Sequence, residues 1–239
     1  MRRHPTKQGN GMKRKSIFTA LLTGVALLSL SSCNGMLDDI YDIPQESTPD
    51  GYGFLPSGDA TASGKVCIDA TDYKKWTYID FRNKVCHTTE IGEDSTDAAP
   101  AEWDIAVHRY DTKTNGASVC ETDENVLGKP LPAGAVFAED VYTTDRIATD
   151  MSGMMDGNIL YASSYYNEVL SRWLDVDTSN MPPAYTLSGR VYIVKLKDGR
   201  HIGLKLSDFM NPAGIKGHMT IDYYIYPQAE QGILIMNNP

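Results

Sequence analysis

Several kinds of chemistry are missing from this chain of 239 residues. It holds no G-x-S-x-G, no H-E-x-x-H and no glycine-rich phosphate loop, so the local frames for an activated serine, a zinc hydrolase or nucleotide binding are absent. Cysteine is sparse, at four residues, and none stands in a C-x-x-C or Cys/His cluster with zinc spacing. Histidine is equally thin: His4 precedes an apolar leader, and His87, His108, His201 and His218 are scattered. Cys86 and His87 are adjacent, but neighbours on a strand point to opposite faces. Acids such as Asp175 and Asp177 are plentiful, yet no nucleophile and base accompany them in a recognisable frame. The chain reads as a binding protein, not an enzyme.

A membrane-spanning run is missing too. Residues 17–30 are apolar, about 14 positions where about 20 are needed to span a bilayer. They follow Lys13, Arg14 and Lys15 and end at Leu30-Ser31-Ser32-Cys33. That order is a secretory signal, residues 1–32, closed by a lipobox that makes Cys33 the lipidated first residue of the mature chain. Met12 stands just ahead of the basic cluster, so translation starts at either Met1 or Met12. Removing six basic leader residues leaves 16 Lys+Arg against 31 Asp+Glu, a net charge of −15. Such a body repels nucleic acid and anionic headgroups, and its membrane contact is through the anchor alone.

Residues 33–64, rich in Asp, Pro, Ser and Gly, read as a tether. From residue 65 to 239 the pattern is that of a single, mostly β, antiparallel domain with long loops and one short helix. Strands are expected at 66–69, 75–82 and 102–110, with loop-rich sequence over 111–140. Ala162, Tyr166, Val169, Leu170 and Trp173 recur at spacings of three and four and predict a helix over 159–174. Asp198-Gly199 predicts a hairpin between 191–197 and 201–206, and strands are expected again at 216–226 and 232–236. An oxidising compartment permits one disulfide among Cys67, Cys86 and Cys120 and leaves an odd thiol.

Two aromatic strands carry a more specific message. One is Trp76-Thr77-Tyr78-Ile79-Asp80-Phe81; the other runs Trp103-Asp104-Ile105-Ala106-Val107-His108-Arg109-Tyr110, and Asn115-Gly116 supplies a tight reversal after it. With Pro183-x-Tyr185, Asp198-Gly199 and Gly214-x-x-Gly217, they resemble the HmuY-like family of haem-binding surface lipoproteins of Gram-negative anaerobes. The resemblance covers residues 66–226. It implies a hemophore-like protein in the outer membrane, lipid-anchored, surface-exposed and able to be shed. Such a protein captures haem (iron protoporphyrin IX), with host haemoproteins among the sources, and delivers it to a TonB-dependent outer-membrane haem receptor. Asp38 and Asp39, shortly after Cys33, are similar to the surface-export signal of such lipoproteins.

Methionine placement then acquires a meaning. Met151, Met154 and Met155 crowd one loop, and Met181 stands in the next, before Pro182-Pro183. Methionine commonly fills irregular core gaps, and residue types alone favour that reading here. The resemblance implies instead a haem clamped between two loops with one axial ligand from each, two histidines in some members and two methionines in others. These loops contain no histidine. Met154 and Met181 are therefore the expected ligand pair, with Met155 and Met151 as alternative registers. The predicted helix of about 24 Å and a return of about 20 Å over 175–180 would bring the two loops together. Tyr185 is a candidate pocket residue and Arg146 a candidate propionate partner. The alternative from another class is a surface glycan-binding or adhesive lipoprotein on the same scaffold, its aromatics stacking sugars and its methionines packing.

Overall fold

A computed structural model describes residues 52–55, 62–179 and 182–227, all of them within one compact unit, Thr48–Pro239. The signal sequence, Cys33, Asp38, Asp39, most of the tether, Met181 and the expected strand at 232–236 lie outside the described residues.

In chain order the strands are β1 (Gly53–Phe54), β2 (Ser63–Asp69), β3 (Lys75–Asp80), β4 (Val85–Glu90), β5 (Ile105–His108), β6 (Asp111–Thr114), β7 (Ser118–Glu121), β8 (Ala138–Glu139), β9 (Val141–Gly153), β10 (Asn158–Tyr166), β11 (Leu174–Asp177), β12 (Ala184–Leu187), β13 (Tyr192–Lys195), β14 (His201–Met210) and β15 (Lys216–Ile225). The fold is mostly β and antiparallel, as expected. Seven strands form one sheet in the order β1-β2-β15-β14-β13-β7-β8, and four form a second in the order β4-β3-β5-β6. The pairs β9–β10 and β11–β12 stand as separate two-stranded hairpins.

Alternation along the strands assigns the faces. Ile79, Phe81, Ile105 and Val107 of the smaller sheet meet Val66, Val119, Val194, Leu204 and Ile221 of the larger one in a common core. That core also takes Leu170 from a single turn of helix, α1 (Glu168–Ser171), and Trp173, which follows it. Asn167 caps α1, its side-chain oxygen accepting from the Leu170 N–H at 2.9 Å. The opposite face of the smaller sheet presents Trp76, Tyr78 and Ala106, and these are covered by Ile147, Ala162 and Tyr166 from the β9–β10 hairpin.

Three expectations are corrected here. The predicted helix over 159–174 is a strand to Tyr166 followed by the short α1. Ala162 and Tyr166 are both buried, and a spacing of four returns a side chain to the same face of a strand as well as of a helix. The strand predicted at 102–110 is confined to Ile105–His108, because the chain reverses at Arg109 and Tyr110 and returns as β6. Asn115-Gly116 instead carries the chain from the smaller sheet to the larger, with Gly116 at a φ of 63°. Residues 111–140, expected to be loops, contain β6, β7 and β8.

Cys67, Cys86 and Cys120 all carry free thiols. They sit on three different strands, and the Cys120 thiol donates to the Glu121 carbonyl at 3.2 Å. Burial pushes the Cys86 thiol up to about 12, which keeps it protonated and unreactive.

Candidate functional site

The two hairpins form two fingers. In the first, β9 and β10 pair from Val141↔Tyr166 out to Gly153↔Asn158, with three register irregularities along the way. Its tip is a 3-10 turn at Met154–Asp156. Two glycines make that tip possible. A Cβ on Gly153 would stand 2.3 Å from the Asn158 carbonyl oxygen, and Gly157 has a φ of 75°. The Gly157 N–H closes the turn by donating to the Met154 carbonyl at 3.1 Å. The sequence Gly153-Met154-Met155-Asp156-Gly157 therefore holds two methionines outward rather than burying them. Met154 is 39% exposed and Met155 86% exposed, whereas Met151 is half-buried on β9.

Asp150 stiffens the approach to this tip by accepting from the Ser152 N–H at 2.7 Å. That backbone donor, with the Ser152 hydroxyl, holds the Asp150 carboxyl below its ordinary range. The finger's outer surface carries Val141, Tyr142, Leu160, Tyr161 and Tyr165, all exposed. Tyr142 and Tyr165 pack edge to face at 5.5 Å. Tyr166 is buried in the covering of the smaller sheet. A cleft of roughly 400 Å³ opens between this finger and the 91–95 loop, lined in part by Leu160, Tyr161, Asp150 and Lys74.

The second finger pairs Leu174↔Leu187 through Asp177↔Ala184. Its tip follows Asp177, whose carboxylate accepts from the Ser179 N–H at 2.8 Å. Met181 lies in that tip segment, outside the described residues. Tyr185 sits on β12 and is half-buried. Its ring stacks on Phe209 at 5.6 Å, meets the Tyr110 ring at 5.3 Å and lies 4.1 Å from the Lys216 ammonium. Tyr185 is thus tied to the body at the side of the finger.

Arg146 leaves β9 toward the body, where its Nε donates to Asp111 Oδ1 at 3.0 Å and its guanidinium lies 5.0 Å from the Tyr166 ring. Its side chain is 56% exposed, so it reaches solvent as well. Lys74, in the cleft beside the same finger, is a cation that sequence reasoning missed. The Tyr73-Lys74-Lys75-Trp76 run held the only hint of it.

None of the four histidines among the described residues lies on either finger: His87 is on β4, His108 on β5, His201 on β14 and His218 on β15. His108 is buried, with Nε2 2.8 Å from the Tyr73 carbonyl. His218 Nδ1 lies 2.8 Å from the Tyr52 hydroxyl. The soft donors that the described finger presents are therefore thioethers, beside the carboxylate of Asp156 on the same tip. Exposed aromatic and aliphatic surface lies beside it.

Comparison with known proteins gives the family. The sequence profile of the HmuY protein family matches residues 72–223. A crystal structure described as a candidate HmuY-like haem-binding protein, from Bacteroides vulgatus, is 53% identical; the match covers 74% of this chain and 98% of that one, with a TM-score of 0.67. A candidate lipoprotein from Bacteroides fragilis is 44% identical over 76% of this chain and 98% of that one, with a TM-score of 0.69. An apo HmuY analogue from Tannerella forsythia is 28% identical over 69% and 96%, with a TM-score of 0.60. None of the curated proteins compared with the chain matches it.

Proposed function

The chain belongs to the HmuY family, and from that premise we propose that it binds haem between its two fingers, with Met154 and Met181 as axial ligands. The observation that carries this reading is the tip of the first finger. Gly153 and Gly157 build a turn there that leaves Met154 and Met155 exposed, beside apolar surface that is also exposed among the described residues. Methionine stranded at a rigid tip has no packing role, while a thioether can ligate haem iron. The similarity to a candidate haem-binding protein of Bacteroides vulgatus supports the ligand class.

Bound haem supplies a planar apolar surface and an iron that accepts one ligand on each side. The protein's part is to present two soft donors, to flank the porphyrin with Leu160 and Tyr161, and to meet the propionates with cations. Arg146 is engaged by Asp111, so it serves that purpose only from its solvent-facing edge. Lys74, in the cleft beside Tyr161, is the better-placed cation. Tyr185 acts from the side of the second finger. Family members are binding proteins, and the function is capture without chemistry. We further propose that Cys33 is lipidated, that the body is displayed on the outer membrane, and that haem taken from host haemoproteins passes to a TonB-dependent receptor.

Haem titration of the mature chain tests this directly. The expected result is a sharp Soret band with low-spin visible bands, strengthened by reduction because a thioether favours ferrous iron. Met154→Ala and Met181→Ala each convert the reduced spectrum toward high spin. A silent Met154→Ala beside an effective Met155→Ala or Met151→Ala would shift the register only. Broad, weak absorbance equal to that of haem mixed with an unrelated acidic protein would remove the reading.

A further inference from the structure

The turn between β5 and β6 touches both fingers. His108 and Asp111 pair across it, and Arg109 stands at a φ of 51°, in the left-handed region that a non-glycine residue enters at a cost. The fold holds it there. Arg109 donates to the backbone carbonyls of Ala70 and Thr71, and its guanidinium lies 4.4 Å from the Tyr73 ring. A Cβ on Gly217 would stand 2.9 Å from Arg109 Nη1, so the glycine leaves the guanidinium its space.

The next two residues of the turn diverge. Arg109 Nη2 donates to the Tyr110 hydroxyl at 3.0 Å, and the Tyr110 ring meets Tyr185 of the second finger edge to face at 5.3 Å. Burial, then a hydrogen bond with Tyr185, pushes the Tyr110 phenol above its ordinary range. Asp111 faces the other way and accepts from Arg146 of the first finger at 3.0 Å. Two consecutive side chains on a locked turn thus hold two otherwise separate hairpins.

We infer that this turn is a yoke that sets the separation and orientation of the two fingers, with Tyr110 positioning β11–β12 and Asp111 positioning β9–β10. The inference rests on the reading of the fingers as the haem clamp. Tyr110 and Asp111 are positioning residues that act through Tyr185 and Arg146. The Asp111–Arg146 pair is too exposed to add much stability, so its contribution is geometric.

The test uses the mature chain and two readouts. Hydrogen exchange on ligand-free protein should show faster exchange confined to residues 174–187 in Tyr110→Ala and confined to residues 141–166 in Asp111→Asn. Haem titration of the same variants should show a loss of affinity and a larger high-spin fraction, with Tyr110→Phe keeping wild-type behaviour through its ring. Unchanged exchange in both fingers, or faster exchange spread over the whole chain, overturns the yoke. Localised exchange changes with an unaltered haem affinity and spectrum overturn it as well. If the wild-type chain binds no haem, the clamp reading fails, and the ligand-free exchange pattern alone decides whether the turn positions the fingers.

Discussion

The sandwich and its first finger are built from similar residues and treat them in opposite ways. In the sandwich and its covering, Trp76, Tyr78, Trp173, Tyr192 and Tyr223 are each at most 1% exposed. In the finger, Val141, Tyr142, Leu160, Tyr161 and Tyr165 are between 42% and 62% exposed. Composition does not separate the two regions; layering does. A strand in either sheet has a second layer to cover it, whereas a two-stranded hairpin has one packed face at its root and nothing over the other. The apolar surface of the finger therefore adds little to folding and stays available to a ligand.

Substitutions should divide along the same line. The largest expected effect is in the core. Trp173→Ala should cost roughly 3–5 kcal/mol by losing transfer energy and leaving a cavity, which a urea unfolding midpoint will report. Next comes the inner polar joint. Lys113 pairs with Asp97 at 2.6 Å and lies 4.2 Å from the Trp76 ring, and the two side chains are 9% and 15% exposed. Lys113→Met should cost about 3–5 kcal/mol, because Asp97 loses its ion-pair partner while largely buried. Adding Asp97→Ala to that variant should recover part of the loss. Equal costs for the single and double variants would show that the ammonium over Trp76, not the ion pair, is what matters.

A smaller effect depends on pH. Burial first, and the charge of Lys195 second, hold the His201 imidazole below its ordinary pKa. The folded state favours the neutral ring, so the unfolded chain takes up the extra proton first. Stability from this site is present at neutral pH and is lost as pH falls below about 6.5. His201→Gln should flatten that part of the curve of melting temperature against pH, and an unchanged slope would assign it to other groups. The smallest effect belongs to the finger tip. Met155→Ala, at a residue 86% exposed, should shift stability by no more than about 0.5 kcal/mol. A larger loss would mean that the tip supports the fold and would close the gap between the two regions.

Much of the sandwich was legible because its strands alternate. Trp76, Tyr78 and Asp80 mark one face of β3 and Thr77 and Ile79 the other, and Asp198-Gly199 announces its turn. The finger was misread for a definite reason. Residues 162 and 166 share a face in a strand and in a helix alike, and the register irregularities of β10 break the alternation that would have decided between them. The reach argument from a helix of about 24 Å falls with that misreading; a pair of strands carries the tip instead. The methionine cluster was visible as an oddity, but its outward presentation depends on Gly153 and Gly157, whose role appears only when the turn closes. Arg146 and Tyr185 were picked out by proximity in sequence. Their ties to Asp111 and Tyr110 are contacts across 35 and 75 positions of chain that no local pattern encodes.

The larger sheet ends on β1 and β8, each only two residues long. Among the described residues, its long central strands β14 and β15 are paired on both sides. A sheet edge with a long row of free N–H and C=O groups invites another copy to add on and start a fibre. Among the described residues, the outermost strands of the seven-stranded sheet each offer an incoming strand only a two-residue template. The smaller sheet differs: its edge strand β4 is six residues long, so any association by strand addition has its template there and not at the ends of the larger sheet.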